Sequence, residues 1–368
     1  MTIDPNQNHP ESTRNALRLS VVIPAFNSSA SLDASIRAVV RAAGPDDEII
    51  LADDGSTDHC VENLDPDLLA HITVITSPTN IGRGPVRNLG AKSATGDVLV
   101  FVDSDVAIEQ SALERFRAAF TANPERAAVI GAYDDHPHDT GRVSQYRNLL
   151  HHHTHHTHGS FASHFWTGIG AVRRDVFDEV GGLDTGKWAR EIEDVEFGHR
   201  IIDAGYAIEV MPDICGTHYK SFTLRSMIRL DLRHRAIPWS HLMIASRFRS
   251  DPFVTSPPQI LSALTVAVVL LGLVITPFFP IAGVVALAGF LAFLVVNARL
   301  WQMLAKRRGF SFALLSVPLH FTHTAISGFG FVIAIGQRVW EAVFGRRLAQ
   351  RAERRKHDQN PETDEIPV

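Results

Sequence analysis

The run Val98-Leu99-Val100-Phe101-Val102 stops on Asp103-Ser104-Asp105, and this junction constrains the chain more than any other stretch. Five consecutive apolar residues, three of them valine, read as a short buried strand. Two carboxylates one residue apart then stand just past its end. In parallel α/β sheets, ligands bind beyond the carboxyl ends of strands. Paired carboxylates there are hard oxygen ligands, suited to Mg²⁺ or Mn²⁺ that also touches substrate phosphates. An ordinary acidic turn uses the same residue types, so the neighbouring segments have to discriminate.

Upstream, Leu19-Ser20-Val21-Val22-Ile23 reads as a strand ending at Pro24, with Pro24-Ala25-Phe26-Asn27 as a turn. Ser31 to Ala43 has helical spacing with Ser31 as its N-cap. Glu48 to Leu51 is the next strand and runs into Asp53-Asp54-Gly55-Ser56-Thr57-Asp58, where a carboxylate can accept from a nucleobase N–H or from ribose hydroxyls. Ile72 to Thr76 is a third strand. The run from Asn80 to Gly90 then opens a helix whose first turn carries Arg83 and Arg87. A helix N-terminus with guanidinium groups nearby favours an anion. Ala127 to Gly131 is a further strand. Strands alternating with helical stretches predict a largely parallel, doubly wound α/β sheet.

The motifs at 22–27, 53–58, 80–90 and 103–105, in this order and spacing, resemble family 2 glycosyltransferases over roughly residues 19–245. The resemblance implies a GT-A catalytic domain, Rossmann-like with a mostly parallel sheet, spanning 18–250. Its donor half is 18–131 and its acceptor half 132–250. It implies a nucleotide-sugar donor, a UDP-sugar first, contacted by Pro24, Phe26, Asp53, Asp54, Arg83, Arg87 and Ser104. Mg²⁺ or Mn²⁺ would be held by Asp103 and Asp105, with His218 as a third ligand. Glu191 to Arg200 resembles the family's E-D motif, which carries the catalytic base onto Asp194 with Glu193 beside it. The same acids also suit a helix N-terminus. Arg200 is expected to brace that helix. On the acceptor side the resemblance points to Trp166, Gly168 and Lys220. Gly168 would let backbone approach a ligand, Trp166 would offer a ring to a sugar or to the core, and Lys220 would meet the diphosphate.

His151 to His158 holds six histidines. Such a tract invites a metal-binding reading, but no H-E-x-x-H pairing is present, and a polar helix or loop near the acceptor entrance is the favoured expectation.

From about Gln259 the composition changes. Gln259 to Phe279, Pro280 to Asn297 and Ser311 to Gly336 are almost uncharged, and about 20 such residues span a bilayer core. These define a membrane-associated region over 258–337, followed by a basic-then-polar tail over 338–368. Arg299, Lys306, Arg307 and Arg308 follow the second run, which puts that loop and the catalytic domain in the cytoplasm. A full third crossing would then send the Arg-rich tail outside, against the charge bias, so that run is expected to be re-entrant or interfacial, or to cross regardless. Leu224 to Ile244 interleaves arginines with apolar residues, as an interfacial helix on anionic lipid does. The first sixteen residues are polar, predicting a disordered lead-in without a signal peptide. Two cysteines make no disulfide framework. The Q-x-x-R-W motif of processive members is missing, Arg235 to Trp239 being only a loose echo. The expected function is therefore a multi-pass, inner-membrane-anchored inverting glycosyltransferase. It would pass one sugar to a lipid-linked or polyprenyl-phosphate acceptor, with no nucleic-acid partner. The alternatives are a processive polysaccharide synthase and a non-enzymatic membrane protein that binds nucleotide-sugar or metal.

Overall fold

The computed structural model describes residues 17–157, 159–246 and 256–345. The expected disordered lead-in up to residue 16, His158, and the tail beyond residue 345 lie outside the described residues. Two compact units are formed. The first holds the described chain to Thr223 together with Arg299–Leu314, and the second holds Leu224 onward apart from that insert.

In the first unit, β1 (Leu19–Ala25), α1 (Leu32–Ala42), β2 (Glu48–Asp53), α2 (Pro66–Leu69), β3 (Thr73–Thr76), α3 (Arg83–Ser93) and β4 (Val98–Val102) follow in order. β1 pairs in parallel with β2 and β4, and β2 pairs in parallel with β3. This is the alternating parallel layer that the apolar runs predict.

Next come β5 (Val106–Ile108), α4 (Ala112–Ala122), β6 (Ala128–Tyr133), α5 (Arg142–Thr157), β7 (Phe161–Ala162), β8 (Ile169–Arg173), α6 (Arg174–Glu179), α7 (Glu193–Asp203) and β9 (Ile208–His218). Among the described residues the nine strands form one sheet, ordered β3-β2-β1-β4-β8-β6-β9-β5 with β7 paired to β9. β8 runs antiparallel to both β4 and β6, so the sheet is parallel up to β4 and mixed beyond it.

The central strands are buried on both faces because alternate side chains enter different clusters. Val98, Val100 and Val102 pack with Leu32, Ile36, Phe116 and Phe120 from α1 and α4. Leu99 and Phe101 face the other way, with Phe165, Phe177, Phe197 and Ile201. Phe101 meets Phe165 edge-on at 6.2 Å between centroids, and burial of such a ring contributes about 1.5–3 kcal/mol. Two glycines let site-bearing helices close on this core. A Cβ at Gly90 of α3 would lie 2.5 Å from Val22 Cγ1, and one at Gly198 of α7 would lie 2.1 Å from the Phe165 nitrogen.

The second unit is helical. It contains α8 (Leu224–Asp231), a π-helical segment (Leu232–Ala236), α9 (Ile237–Ala245), α10 (Pro257–Ile275) and α11 (Ile281–Val296). α12 (Ala298–Arg308) follows and belongs, from Arg299, to the first unit. α13 (Phe310–Trp340) runs on into a π-helical turn, Glu341–Gly345. Two helices, Pro257–Ile275 and Phe310–Phe344, are long and apolar enough to cross a membrane; α11 and α12 make a third only if their 60° bend is one span. The third apolar run is thus one continuous helix with Pro318 inside it, not a re-entrant loop. At 1.5 Å per residue it is about 46 Å long, more than a hydrocarbon core of about 30 Å requires.

Small residues bring α10 and α11 together, Gly272 against Ala286 and Gly289 against Val268. Polar side chains tie the bundle further. Asn297 Nδ2 donates to Ser262 Oγ at 2.9 Å, His320 Nε2 lies 2.9 Å from Asn297 Oδ1, and His323 Nδ1 lies 2.9 Å from Asp231 Oδ2.

Candidate active site

The site is built where β4 ends. Asp103 N–H donates to the Gly168 carbonyl at 3.2 Å and Ser35 Oγ to the Asp103 carbonyl at 3.2 Å, so the turn is held from both sides. Ser104 Oγ is 2.9 Å from Ser28 Oγ. The Asp105 carbonyl accepts from Tyr219 N–H at 2.8 Å, which brings the residues after β9 alongside.

Arg87, on α3, joins the two acidic motifs. Its Nη2 donates to Asp103 Oδ1 and its Nη1 to Glu193 Oε1, both at 2.6 Å. The arginine and Glu193 side chains are 4% and 3% exposed and that of Asp103 is 30% exposed. Asp103 and Glu193, the second 106 residues from Arg87 in sequence, thus share one guanidinium, which puts the D-x-D turn beside the start of α7. Asp194 follows, half-buried, with Oδ1 accepting from Val195 N–H at 2.9 Å. Burial pushes the Glu193 carboxyl up to about 7; Arg87 works against this shift and Asp194 adds to it. Glu193 Oε2 is buried without a hydrogen-bond partner among the described residues.

Asp105 is in the opposite condition. Burial works against its charge, but His218 and Lys220 outweigh burial and hold the carboxyl well below the usual range. His218 Nε2 is 3.7 Å and Lys220 Nζ 3.5 Å from Asp105 Oδ2. Asp105 and His218 are the pair that could hold a divalent cation: Mg²⁺-type sites use one or two protein ligands and take the rest from substrate phosphates and water. The three-ligand expectation needs correcting, because no group of three His, Cys, Asp or Glu side chains gathers as a metal set among the described residues. Asp103 is instead engaged by Arg87.

Three further expectations change. Arg87 was expected to contact the nucleotide-sugar donor, but both its terminal nitrogens are on carboxylates and it is buried. Asp54 was expected beside the nucleoside. It is 3% exposed, and its two oxygens accept from Ile81 N–H at 2.6 Å and Gly82 N–H at 3.0 Å, so it braces the start of α3. Gly168 was expected to make room for a ligand. A Cβ there would lie 2.5 Å from the Trp166 indole, so the space belongs to that ring.

Asp53, also buried, accepts from Ser56 N–H at 3.1 Å. Pro24 is half-buried at the end of β1, while Phe26 and Arg83 are exposed. The turn after β1 is stapled to the 53–58 loop. Asn27 Oδ1 accepts from Thr57 N–H at 2.9 Å, and Asp58 Oδ2 accepts from Ser29 N–H at 2.9 Å. Arg200 braces α7 as expected, its Nε donating to Glu196 Oε1 at 2.8 Å.

Trp166 packs against Tyr133, His151 and His155, with centroids 4.7–4.8 Å away. The histidine tract lies on α5, as a helix. His152 Nδ1 and His155 Nδ1 reach the carbonyls of Tyr133 and Gly131 at 2.9 and 2.7 Å, so both rings serve to dock α5 on β6. Tyr133 was not foreseen. It stacks on His218 at 4.2 Å with planes 12° apart, and no local pattern at residue 133 points to it.

Residues 20–181 match the family described as glycosyl transferase family 2, and 148–223 match the family described as the N-terminal domain of galactosyltransferase. Over residues 20–181, somewhat under half of its length, the chain is similar to family 2 glycosyltransferases. An uncharacterized glycosyltransferase of Haemophilus influenzae is 33% identical over 99 residues, covering 26% of this chain and 40% of that protein. An undecaprenyl-phosphate 4-deoxy-4-formamido-L-arabinose transferase of Enterobacter is 28% identical over 169 residues, covering 44% of this chain and 51% of that one. The chain thus spans about half the length of these relatives. The mannosyltransferase PcManGT of Pyrobaculum calidifontis, solved with GDP-Man and Mn²⁺, superposes with a TM-score of 0.53 at 19% identity, over 89% of this chain and 88% of that one. This likeness shows the fold alone, a GT-A-type arrangement of sheet and helices.

Proposed function

We propose that this protein is a membrane-anchored, inverting glycosyltransferase that moves one sugar from a nucleoside-diphosphate donor to a lipid-linked or polyprenyl-phosphate acceptor. The observation that carries the reading is the Arg87 bridge, which brings the D-x-D turn and the Glu193-Asp194 pair into one site. The relative named as an undecaprenyl-phosphate 4-deoxy-4-formamido-L-arabinose transferase and the GT-A structure holding GDP-Man and Mn²⁺ support the acceptor and donor classes.

Asp194 is the group for the acceptor hydroxyl. It is half-exposed and follows a carboxyl that is buried and paired, so it alone of the two faces solvent. As the hydroxyl oxygen bonds to the sugar carbon from the face opposite the diphosphate, Asp194 takes its proton, and the anomeric configuration inverts. Arg87 balances charge on Glu193 and Asp103 and keeps α7 and the β4 turn in register. Asp105 and His218 are the residues that would hold a divalent cation; bound there, it offsets charge on the departing nucleoside diphosphate. A phosphate acceptor is already anionic and needs little help from Asp194.

The ion pair between Arg307 and Asp135 supports a shared side for the catalytic domain and the 298–309 loop. The basic residues of that loop favour the cytoplasm, at the inner membrane. The test is a screen of radiolabelled nucleotide sugars, UDP-sugars first, with native membrane lipid extract, with and without Mn²⁺. Labelled lipid is expected only with the cation. Binding of donor without any turnover would overturn the enzyme reading, and release of long polymer would favour a processive synthase.

A further inference from the structure

We propose that the basic end of α12 is a clamp that positions His218 and Lys220 against Asp105, with Arg307 and Asp135 as its working pair. The significance of that positioning rests on the glycosyltransferase reading. α12 ends in Lys306-Arg307-Arg308. Arg307 Nη1 is 2.5 Å from Asp135 Oδ2. Arg308 donates through Nε to Gln145 Oε1 at 2.8 Å, and through Nη2 to the Asp135 carbonyl. Two successive arginines thus grip one residue by its carboxylate and its backbone, and a third link falls on Gln145 at the start of α5. Asp135 is 8% exposed. An isolated surface ion pair contributes little, but here the carboxylate is largely out of water and the forked guanidinium groups fix direction as well as charge.

The gripped loop holds the end of β9. Asp134 N–H donates to the Gly216 carbonyl at 3.0 Å, and Thr217 Oγ1 donates to the Asp134 carboxylate. His138 N–H donates to the His218 carbonyl at 3.1 Å. The His138 ring stacks on Tyr219 at 4.3 Å, and Tyr133, two residues before Asp135, stacks on His218 at 4.2 Å. His218 is therefore fixed on its backbone and on one ring face by the segment that α12 grips, and its free edge is turned to Asp105. A shift of about 1 Å at such a group can cost about a hundredfold in rate.

The experiment uses the full chain in detergent, with Arg307→Gln, Asp135→Asn, Arg307→Lys and the reversed pair Arg307→Asp with Asp135→Arg. Arg307 is half-exposed, and thermal unfolding of each variant checks that the fold is kept. Two readouts are taken. The first is the modification rate of His218 by diethyl pyrocarbonate, followed by peptide mass spectrometry, with buried His155 as the internal control. The second is Mn²⁺ affinity in the presence of UDP without acceptor, read from free Mn²⁺ by electron paramagnetic resonance. Arg307→Gln and Asp135→Asn are expected to speed His218 modification about tenfold with His155 unchanged, and to weaken Mn²⁺ binding about tenfold, the size expected for sub-ångström misplacement. Arg307→Lys and the reversed pair should recover part of both. Unchanged His218 reactivity in both single variants, or equal speeding of His155, overturns the clamp. If wild type binds no Mn²⁺ with UDP while His218 reactivity responds as expected, the clamp stands and the donor reading fails.

Discussion

Replacing Arg87 tests the junction on which the site depends. Arg87→Met keeps the buried stem and removes the guanidinium. Glu193, with a side chain 3% exposed, then faces Asp103 and Asp194 with no cation between them. Removing one partner of a buried ion pair costs about 3–5 kcal/mol. For a domain of this size that lowers the melting temperature by about 6–20 °C near pH 8. The loss must shrink in acid. The Glu193 carboxyl is already raised from 4.5 to about 7, by burial first and despite Arg87, and removing Arg87 raises it further. A carboxyl whose folded pKa lies above its unfolded value is penalised fully above the folded pKa. The penalty fades as pH falls toward 4.5. Each pH unit inside that window is worth about 1.4 kcal/mol, and wild type itself regains about one unit's worth below about pH 7, so moving from about pH 8 to about pH 6 should shrink the deficit by up to about 1.4 kcal/mol. The assay is thermal unfolding by intrinsic fluorescence, for wild type and variant in the same detergent across that range. Adding Glu193→Gln to Arg87→Met should restore most of the loss near pH 8. A deficit under about 2 °C near pH 8, or one that stays the same near pH 6, would refute the reasoning.

Asp194→Asn should cut turnover on a hydroxyl acceptor by about 10²–10⁴-fold, yet change turnover on a phosphate acceptor little; steady-state rates on both acceptor types decide between them. Asp105→Asn removes the carboxylate that His218 and Lys220 face, and should raise the Mn²⁺ concentration for half-maximal turnover at least about tenfold; a metal titration showing no shift counts against the cation assignment. Gly198→Ala forces a methyl to within 2.1 Å of the Phe165 backbone and should cost about 1–3 kcal/mol or more in thermal unfolding, whereas Gly186→Ala, with its nearest neighbour at 3.6 Å, should cost far less. His152 is buried, and burial lowers its pKa from 6.5 despite the Tyr133 carbonyl that its ring meets. Its contribution to stability is thus present above 6.5 and lost as pH falls through and below that value, and His152→Gln should flatten this part of a stability-against-pH curve.

What could be read before folding is what neighbours in the chain decide. The β1 to β4 runs, the turn chemistry at 53–58 and the apolar stretches from residue 257 are local patterns, and their elements form within a few residues of where the patterns predict them. The antiparallel insertion of β8 between β4 and β6 carries no local signature, because strand direction is set by which edge the returning chain meets. The α5 histidines read as polar by composition, but His152 and His155 are buried, since their ring nitrogens can satisfy carbonyls of β6.

The same division holds within the site. Residue type at a strand end marked Asp103 and Asp105 as candidate metal ligands, and the family resemblance added Glu193, Asp194 and His218. Only the tertiary structure assigned their partners. It turned Arg87 from a free anion-binding group into a buried bridge, took both oxygens of Asp54 for the α3 loop, filled the space at Gly168 with Trp166, and stacked Tyr133 on His218. The physical reason is distance along the chain. A guanidinium has no preference, in sequence, between a phosphate in solution and a carboxylate 106 residues away; the close approach of α3 and α7 to the sheet decides which of them it meets.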